Sequence, residues 1–279
     1  MNTAATVHRS SPTSPPRGRW PQQALGPVAL AFTLAELLVV IAIIGLLTAV
    51  SLPAIRKIAK TDTMNAATRQ LLDDLSYARR LAIRHRTTVY MVFLPHQYYI
   101  LGSAATGPEL DKAEELLGLQ YSGYALFAKR RAGDQPGQGT PTYLRDWVSL
   151  PEGVFIPVWK YTTGYDHAKP FPRTLIPFPF ANSPRIPMPY IAFNHQGQLV
   201  EFYPNGDPKP IAEDVDIPLA RGAVIPPQDP VTKKYIWRQP PQIVENPPNN
   251  SINNPNFIHI DWMTGRAKIE RPELPGARP

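Results

Sequence analysis

Cysteine is absent from the 279-residue chain, which excludes disulfide bonds. This absence is compatible with an oxidising periplasm but does not assign a compartment. The H-E-x-x-H and G-x-S-x-G patterns of metalloproteases and serine hydrolases are also missing. The histidines are scattered along the chain, at positions that include His85, His96, His167 and His195. We therefore expect no enzymatic activity, no cofactor and no metal site.

Acidic residues are missing from the N-terminus, where residues 1–31 contain three arginines and no carboxylate. Residues 1–27 are rich in serine, proline and arginine, a composition that predicts disorder in the precursor. The net charge of the chain, +7, is modest and does not by itself indicate a nucleic-acid partner.

A long apolar segment follows, and residues 31–55 read AFTLAELLVVIAIIGLLTAVSLPAI. From Leu37 to Ile55 no residue is charged, which corresponds to about 28 Å of helix and is long enough to cross a bilayer. Glu36 lies at the start of this run. A carboxylate in such a position is costly without a partner, so we expect it to have one. An ordinary signal anchor would also show basic residues before an apolar run, but it would not require this glutamate.

The heptapeptide Ala31-Phe32-Thr33-Leu34-Ala35-Glu36-Leu37 resembles the class III signal of type IV prepilins and type II secretion pseudopilins. In that family a leader is cleaved before a phenylalanine and the new amine is methylated. Glutamate is then the fifth mature residue, and a proline follows near the twenty-second. Counted from Phe32, Glu36 is fifth and Pro53 is twenty-second. The chain departs from the family in having Ala31 where glycine is usual, and in its longer leader.

The resemblance implies cleavage between Ala31 and Phe32, N-methylation of Phe32, and an assembly role for Glu36, which would neutralise the amine of an adjacent subunit. The implied partners are a prepilin peptidase, other pilin or pseudopilin subunits, inner-membrane lipid and the assembly platform of the inner membrane. Two other roles stay open for Glu36, an ion pair within its own chain and exposure to lipid headgroups. Gly45 and Pro53 are predicted to loosen the helix.

Three regions follow from this sequence. Residues 1–31 form the cleaved leader, 32–55 the transmembrane half of a helix, and 56–279 a soluble head. The helix is predicted to continue to about residue 86, with an apolar stripe that contains Met64, Leu71, Leu75, Ala78 and Ala82. Charged residues of this half, including Asp74, are assigned to its other faces.

The residues beyond the helix alternate as strands do, and three hairpins are predicted. Their strands are 87–94 with 97–101, 190–194 with 198–203, and 257–262 with 266–270; further strands are expected near 121–128, 147–159 and 218–225. The fold class predicted is α+β, with a long N-terminal helix packed on an antiparallel β-sheet head. The helix end that runs directly into a strand resembles the H-type minor pseudopilins.

Proline-rich loops are expected at residues 170–190 and 226–255. In the first loop the aromatic residues either pack on the protein's own sheet or dock a neighbouring subunit; they are Phe171, Phe178, Phe180 and Tyr190.

Other polar clusters are candidates for binding. Four loop residues could surround a calcium ion, but they do not match an EF-hand loop and more simply solvate a turn; they are Asn205, Asp207, Asp214 and Asp216. His259 and Asp261, which share a strand face, read as a surface pair. Arginines at the helix end either contact DNA or complement the helix dipole; they are Arg79, Arg80, Arg84 and Arg86.

The sequence therefore predicts a minor pilin or pseudopilin of the inner membrane. Its leader is expected in the cytoplasm and its head in the periplasm, or in a filament after processing. A membrane-anchored envelope binding protein that does not polymerise, or a minor pilin of DNA uptake, remains the alternative.

Overall fold

The computed structural model describes residues 33–96, 107–131, 133–135, 138–164, 169–203, 206–209, 211–236, 239–253 and 256–270. Side chains are described throughout these ranges except at 49–62. The leader, the predicted strand 97–101, Phe32, Asn205 and His167 lie outside the described residues.

The helices are α1 (Leu34–His85), α2 (Pro108–Leu116) and α3 (Asn250–Asn253). The strands up to the middle of the chain are β1 (Val89–Phe93), β2 (Gly123–Ala128), β3 (Thr142–Ser149), β4 (Val154–Phe155), β5 (Arg173–Pro177) and β6 (Arg185–Phe193). The remaining strands are β7 (Glu201–Phe202), β8 (Pro208–Lys209), β9 (Val215–Ile225), β10 (Gln242–Glu245), β11 (Asn256–Ile260) and β12 (Ala267–Glu270).

The chain divides into two compact units, Met1–Pro53 and Ala54–Pro279. In the first unit the structure describes the start of α1. Among the described residues, no helix combines the length and the apolar character needed to cross a membrane.

The described residues of the second unit form three sheets built from antiparallel pairs. The first has the strand order β3-β2-β1-β6-β5, the second has β10-β9-β11-β12 with β4 also paired to β9, and the third is the pair β7-β8. Strand β1 lies at the centre of the first sheet. Its residues alternate between two cores, as the period of two in a strand requires. Val89, Met91 and Phe93 face one core, whereas Tyr90 and Val92 face the other.

The larger core is formed by the predicted apolar stripe of α1, one face of the first sheet, and inward residues of β9 and β11. Leu71, Leu75 and Ala78 of the stripe are fully buried there. The smaller core lies on the opposite face of the first sheet, where Leu116 of α2 and Phe178 contribute. The first sheet is thus buried on both faces, which explains why every residue of β1 and β2 is buried.

Helix α1 ends in a Schellman motif that turns the chain directly into β1. Arg86 has a left-handed backbone with φ of 49°. Its amide donates to Ile83 O, and the Thr87 amide donates to Ala82 O. The predicted junction between helix and strand is therefore confirmed, with arginine at a position that usually holds glycine.

The predicted fold class, α+β with a long helix whose first half crosses the membrane and which packs on one antiparallel sheet, is wrong. The described strands form mostly antiparallel β-structure in three separate sheets, and no described helix has the character of a membrane span. Strand β9 explains the difference, because it pairs successively with β11, β4 and β10 and so builds a second sheet from strands far apart in the sequence. In addition, α1 contributes to two units that divide at Pro53, a residue without an amide N–H for the helix.

One of the predicted hairpins agrees with the structure. The hairpin of β11 and β12 pairs Phe257 with Glu270 and Ile260 with Ala267, which confirms that prediction. The strand expected at 147–159 is instead two strands, β3 and β4.

Candidate functional site

Glu36 caps the N-terminus of α1. The amide and the hydroxyl of Thr33 donate to Glu36 Oε2 at 2.9 and 3.0 Å, and the Glu36 amide donates to Thr33 Oγ1 at 3.2 Å. This reciprocal arrangement is a capping box, which satisfies amides that a helix start leaves without partners. The Thr-x-x-Glu pattern of residues 33–36 is a sequence signal for such a cap, although the cap is not among the features predicted above. The structure thus gives Glu36 a local partner in its own chain.

The other predicted processing and assembly residues are less informative. Ala31 and Phe32 lie outside the described residues, two and one positions before the cap. Gly45 lies inside α1, where a Cβ would meet no atom within 4 Å, so no close packing requires glycine there. Pro53 lies in the helical segment, and its side chain is not described.

A buried polar network joins α1 to the first sheet. Tyr124 of β2 donates its hydroxyl proton to Asp74 Oδ2 at 2.6 Å, and Arg145 of β3 forms an ion pair with Asp74 Oδ1. Gln70 Nε2 donates to Tyr124 Oη and to Ser149 O, both at 2.8 Å. Burial, reinforced by the bond to Asp74, raises the pKa of Tyr124 far above its usual range. The network fixes the rotation of the helix against the sheet.

The prediction that Asp74 lies on a face of the helix other than the apolar stripe is wrong. Asp74 is only 6% exposed. Its position three after Leu71 and four before Ala78 places it on the apolar stripe, so the helical period contained the signal.

Arginines at the C-terminal end of α1 make contacts within the protein. Arg79 Nε donates to Gly197 O at 3.2 Å and to Thr264 O at 2.7 Å, which ties the helix to two turns of the head. The Arg80 guanidinium lies 5.9 Å from the centre of the Tyr77 ring. Arg86 forms the Schellman turn described above. At Arg79 these contacts account for the arginine without a nucleic acid, whereas the turn at Arg86 uses only its backbone.

The aromatic residues of segment 170–190 mostly belong to the cores, which confirms self-packing for three of the four. The segment is not the continuous loop predicted, because it contains β5 and the start of β6. Phe171 stacks on Phe93 with ring centres 4.5 Å apart, and Phe178 and Tyr190 are buried. Phe180 is 43% exposed. This segment therefore offers one aromatic side chain, rather than four, to a neighbouring molecule.

His259 of β11 lies among three carboxylates. Its Nε2 is 3.0 Å from Asp214 Oδ2, and its Nδ1 is 2.8 Å from Asp216 Oδ1 and 3.2 Å from Glu270 Oε2. The predicted pairing with Asp261 is wrong, because Asp261 instead accepts bonds from the amide and hydroxyl of Thr264 in its own turn. Asp214 and Asp216, two of the residues considered above for calcium binding, thus lie next to the imidazole of His259.

A buried lysine lies next to this cluster. A cavity of about 180 Å³ is lined by Lys160, Phe171, Glu201, Asp214 and Asp216, among others. Lys160 Nζ donates to Lys169 O at 2.8 Å and lies 5.1 Å from the centre of the Phe171 ring. Burial lowers the pKa of Lys160 to about 8, although the nearby Asp216 carboxylate opposes the change. No pattern in the sequence indicates that this lysine is buried, because lysine is almost never buried.

Comparison with protein-family models, with curated proteins and with solved structures found no match to this chain.

Proposed function

We propose that this chain is a minor pilin or pseudopilin, a structural subunit of a type IV pilus-like filament or of a type II secretion pseudopilus. Prepilin peptidase cleaves it between Ala31 and Phe32, and the new amine of Phe32 is methylated. The observation that carries the proposal is the spacing of three residues, with Glu36 fifth and Pro53 twenty-second when Phe32 is counted as first.

The start of α1 supports an assembly role for Glu36. Both bonds from Thr33 reach Oε2, and within the described residues no donor contacts Oε1. The capping box therefore holds the carboxylate in a fixed position and leaves one oxygen for the amine of another subunit. In a poorly hydrated filament core an unpaired carboxylate or amine costs several kcal/mol, and an ion pair recovers much of this cost.

The localisation proposed with this function is the bacterial inner membrane, with the leader in the cytoplasm and the head in the periplasm. The partners are prepilin peptidase, other pilin or pseudopilin subunits and the assembly platform. The head then serves as a structural and contact module, and no catalytic role is proposed for it.

Two substitutions separate the charge of Glu36 from its cap. Glu36→Gln removes the charge but keeps an acceptor suited to a capping box, whereas Thr33→Ala removes the side-chain cap and keeps the charge. The measurement is the fraction of processed chain that co-purifies with filaments from the organism that encodes it. We expect Glu36→Gln to be processed but lost from the filaments, and Thr33→Ala to be retained.

Incorporation of Glu36→Gln at the wild-type level would contradict the role of the charge. A wild-type chain that is absent from every filament preparation would instead support a non-polymerising binding protein of the envelope.

A further inference from the structure

The imidazole of His259 lies on a platform formed by three neighbouring strands of the second sheet, β9, β11 and β12. Asp216 of β9 and His259 of β11 are directly opposite each other, and Glu270 of β12 pairs with Phe257, two residues before His259. Since side chains alternate along each strand, all three polar residues project from the same face. The platform requires no loop to order before a ligand binds.

The fourth residue, Asp214, orients the ring. Its Oδ1 accepts a bond from the Trp262 amide at 2.9 Å, and its Oδ2 lies 3.0 Å from His259 Nε2. The fixed carboxylate favours the tautomer in which Nε2 carries the proton and donates to Asp214. Carboxylates hold metal-binding histidines in the same way, through the ring nitrogen that does not bind the metal.

This tautomer leaves the lone pair of Nδ1 directed at two further carboxylates. Asp216 Oδ1 and Glu270 Oε2 lie 2.8 and 3.2 Å from Nδ1. Three electron-rich atoms at these distances repel one another unless a cation lies among them or Nδ1 carries a proton. One nitrogen and two carboxylate oxygens are a ligand set that suits Zn²⁺, whereas Ca²⁺ prefers six to eight oxygen atoms.

We propose that His259 Nδ1, Asp216 and Glu270 bind a divalent transition-metal ion of the Zn²⁺ type, with Asp214 as the residue that orients the imidazole. The ligand atoms lie within 4.8 Å of one another, so small side-chain rotations bring them to one centre. The ion links β9, β11 and β12 across the second sheet and leaves a coordination position open to solvent. This site does not depend on the proposed function and stands or falls separately.

The test is a calorimetric titration of ZnCl₂ into the tag-free full chain after dialysis against a chelator. We expect one Zn²⁺ per chain and no comparable binding of Ca²⁺. His259→Gln, Asp216→Asn and Glu270→Gln each remove one ligand and should weaken Zn²⁺ binding at least tenfold. Asp214→Asn should weaken it by about 10-fold to 100-fold through loss of the orienting bond.

Matched controls are His195→Gln and Asp73→Asn, which alter an exposed histidine and an exposed aspartate elsewhere on the head. Both should bind Zn²⁺ within twofold of the wild type. Asp216 and Glu270 are about half exposed, so their amide variants should keep the fold, which the thermal midpoint checks. The proposal fails if the wild type binds no Zn²⁺, in which case an imidazolium alone balances the carboxylates. It also fails if His259→Gln binds as the wild type does.

Discussion

Tyr124 of β2 donates a hydrogen bond of 2.6 Å to Asp74 of α1, and this buried contact connects the helix to the centre of the head. A charged acceptor in such a position makes the bond stronger than one between neutral groups. Removal of either partner leaves the other buried without this hydrogen bond.

We expect Tyr124→Phe to lower the free energy of unfolding by about 2 kcal/mol, the magnitude typical of a lost hydrogen bond to a charged group. Urea denaturation followed by circular dichroism measures the change. Tyr203→Phe is the matched control, because Tyr203 is 47% exposed, and it should have little effect. Equal stabilities for the two variants would show that the Asp74 contact is not a source of stability.

Lys160 predicts a dependence of stability on alkaline pH. Its pKa is lowered to about 8, mainly by burial, whereas in the unfolded chain lysine has its ordinary value near 10.4. A lowered pKa means that the folded state releases the proton first. Stability should therefore rise as pH increases from about 8 toward 10, and it should be lowest when Lys160 is protonated.

Urea denaturation at several pH values between 7.5 and 9.5 measures this rise, which should be on the order of 1–2 kcal/mol. Lys160→Met keeps the apolar stem and should abolish it. Lys112→Met is the control, since Lys112 belongs to a partly exposed ion pair with Glu115, and it should retain the rise. An identical pH profile for Lys160→Met would exclude Lys160 as its origin. The buried tyrosines act in the opposite direction, because their raised pKa values reduce stability only above about pH 10.

The turn at Arg86 predicts a stabilising glycine. Arg86 has φ of 49°, a conformation that costs an L-residue about 1–2 kcal/mol and glycine almost nothing. After the greater entropy of glycine in the unfolded chain is subtracted, Arg86→Gly should raise the free energy of unfolding by about 0.5 kcal/mol. Arg84→Gly, two residues earlier and inside the helix, should instead lower it by about 1 kcal/mol. Thermal denaturation compares the stabilities of the two variants. If Arg86→Gly lowers the free energy of unfolding, the Arg86 side chain makes a contact that contributes more to stability than the backbone strain costs.

The sequence predicted those features that depend on residues close together in the chain. The stripe from Met64 to Ala82 follows the helical period, and the hairpin of β11 and β12 alternates around a turn that contains Gly265. Both can be recognised without knowledge of the rest of the fold. The capping box of Thr33 and Glu36 also joins residues close together in the chain, so it could have been predicted from the sequence as well.

Features that depend on distant residues could not be predicted. The pairing of β4 with β9 and the three carboxylates around His259 bring together residues from separate parts of the chain. Local periodicity contains no information about such pairings. Asp74 and Lys160 were missed for another reason, because charged residues are normally solvated and only their specific partners make burial tolerable.

Processing before Phe32 is the central claim, and intact mass together with N-terminal sequencing tests it most directly. The full chain should be purified after co-expression with a prepilin peptidase and, in parallel, without it. The account predicts a chain that begins at N-methylated Phe32 only when the peptidase is present, with Ala31→Gly processed at least as completely. A chain that retains residues 1–31 beside a peptidase that cleaves a known prepilin would contradict the account.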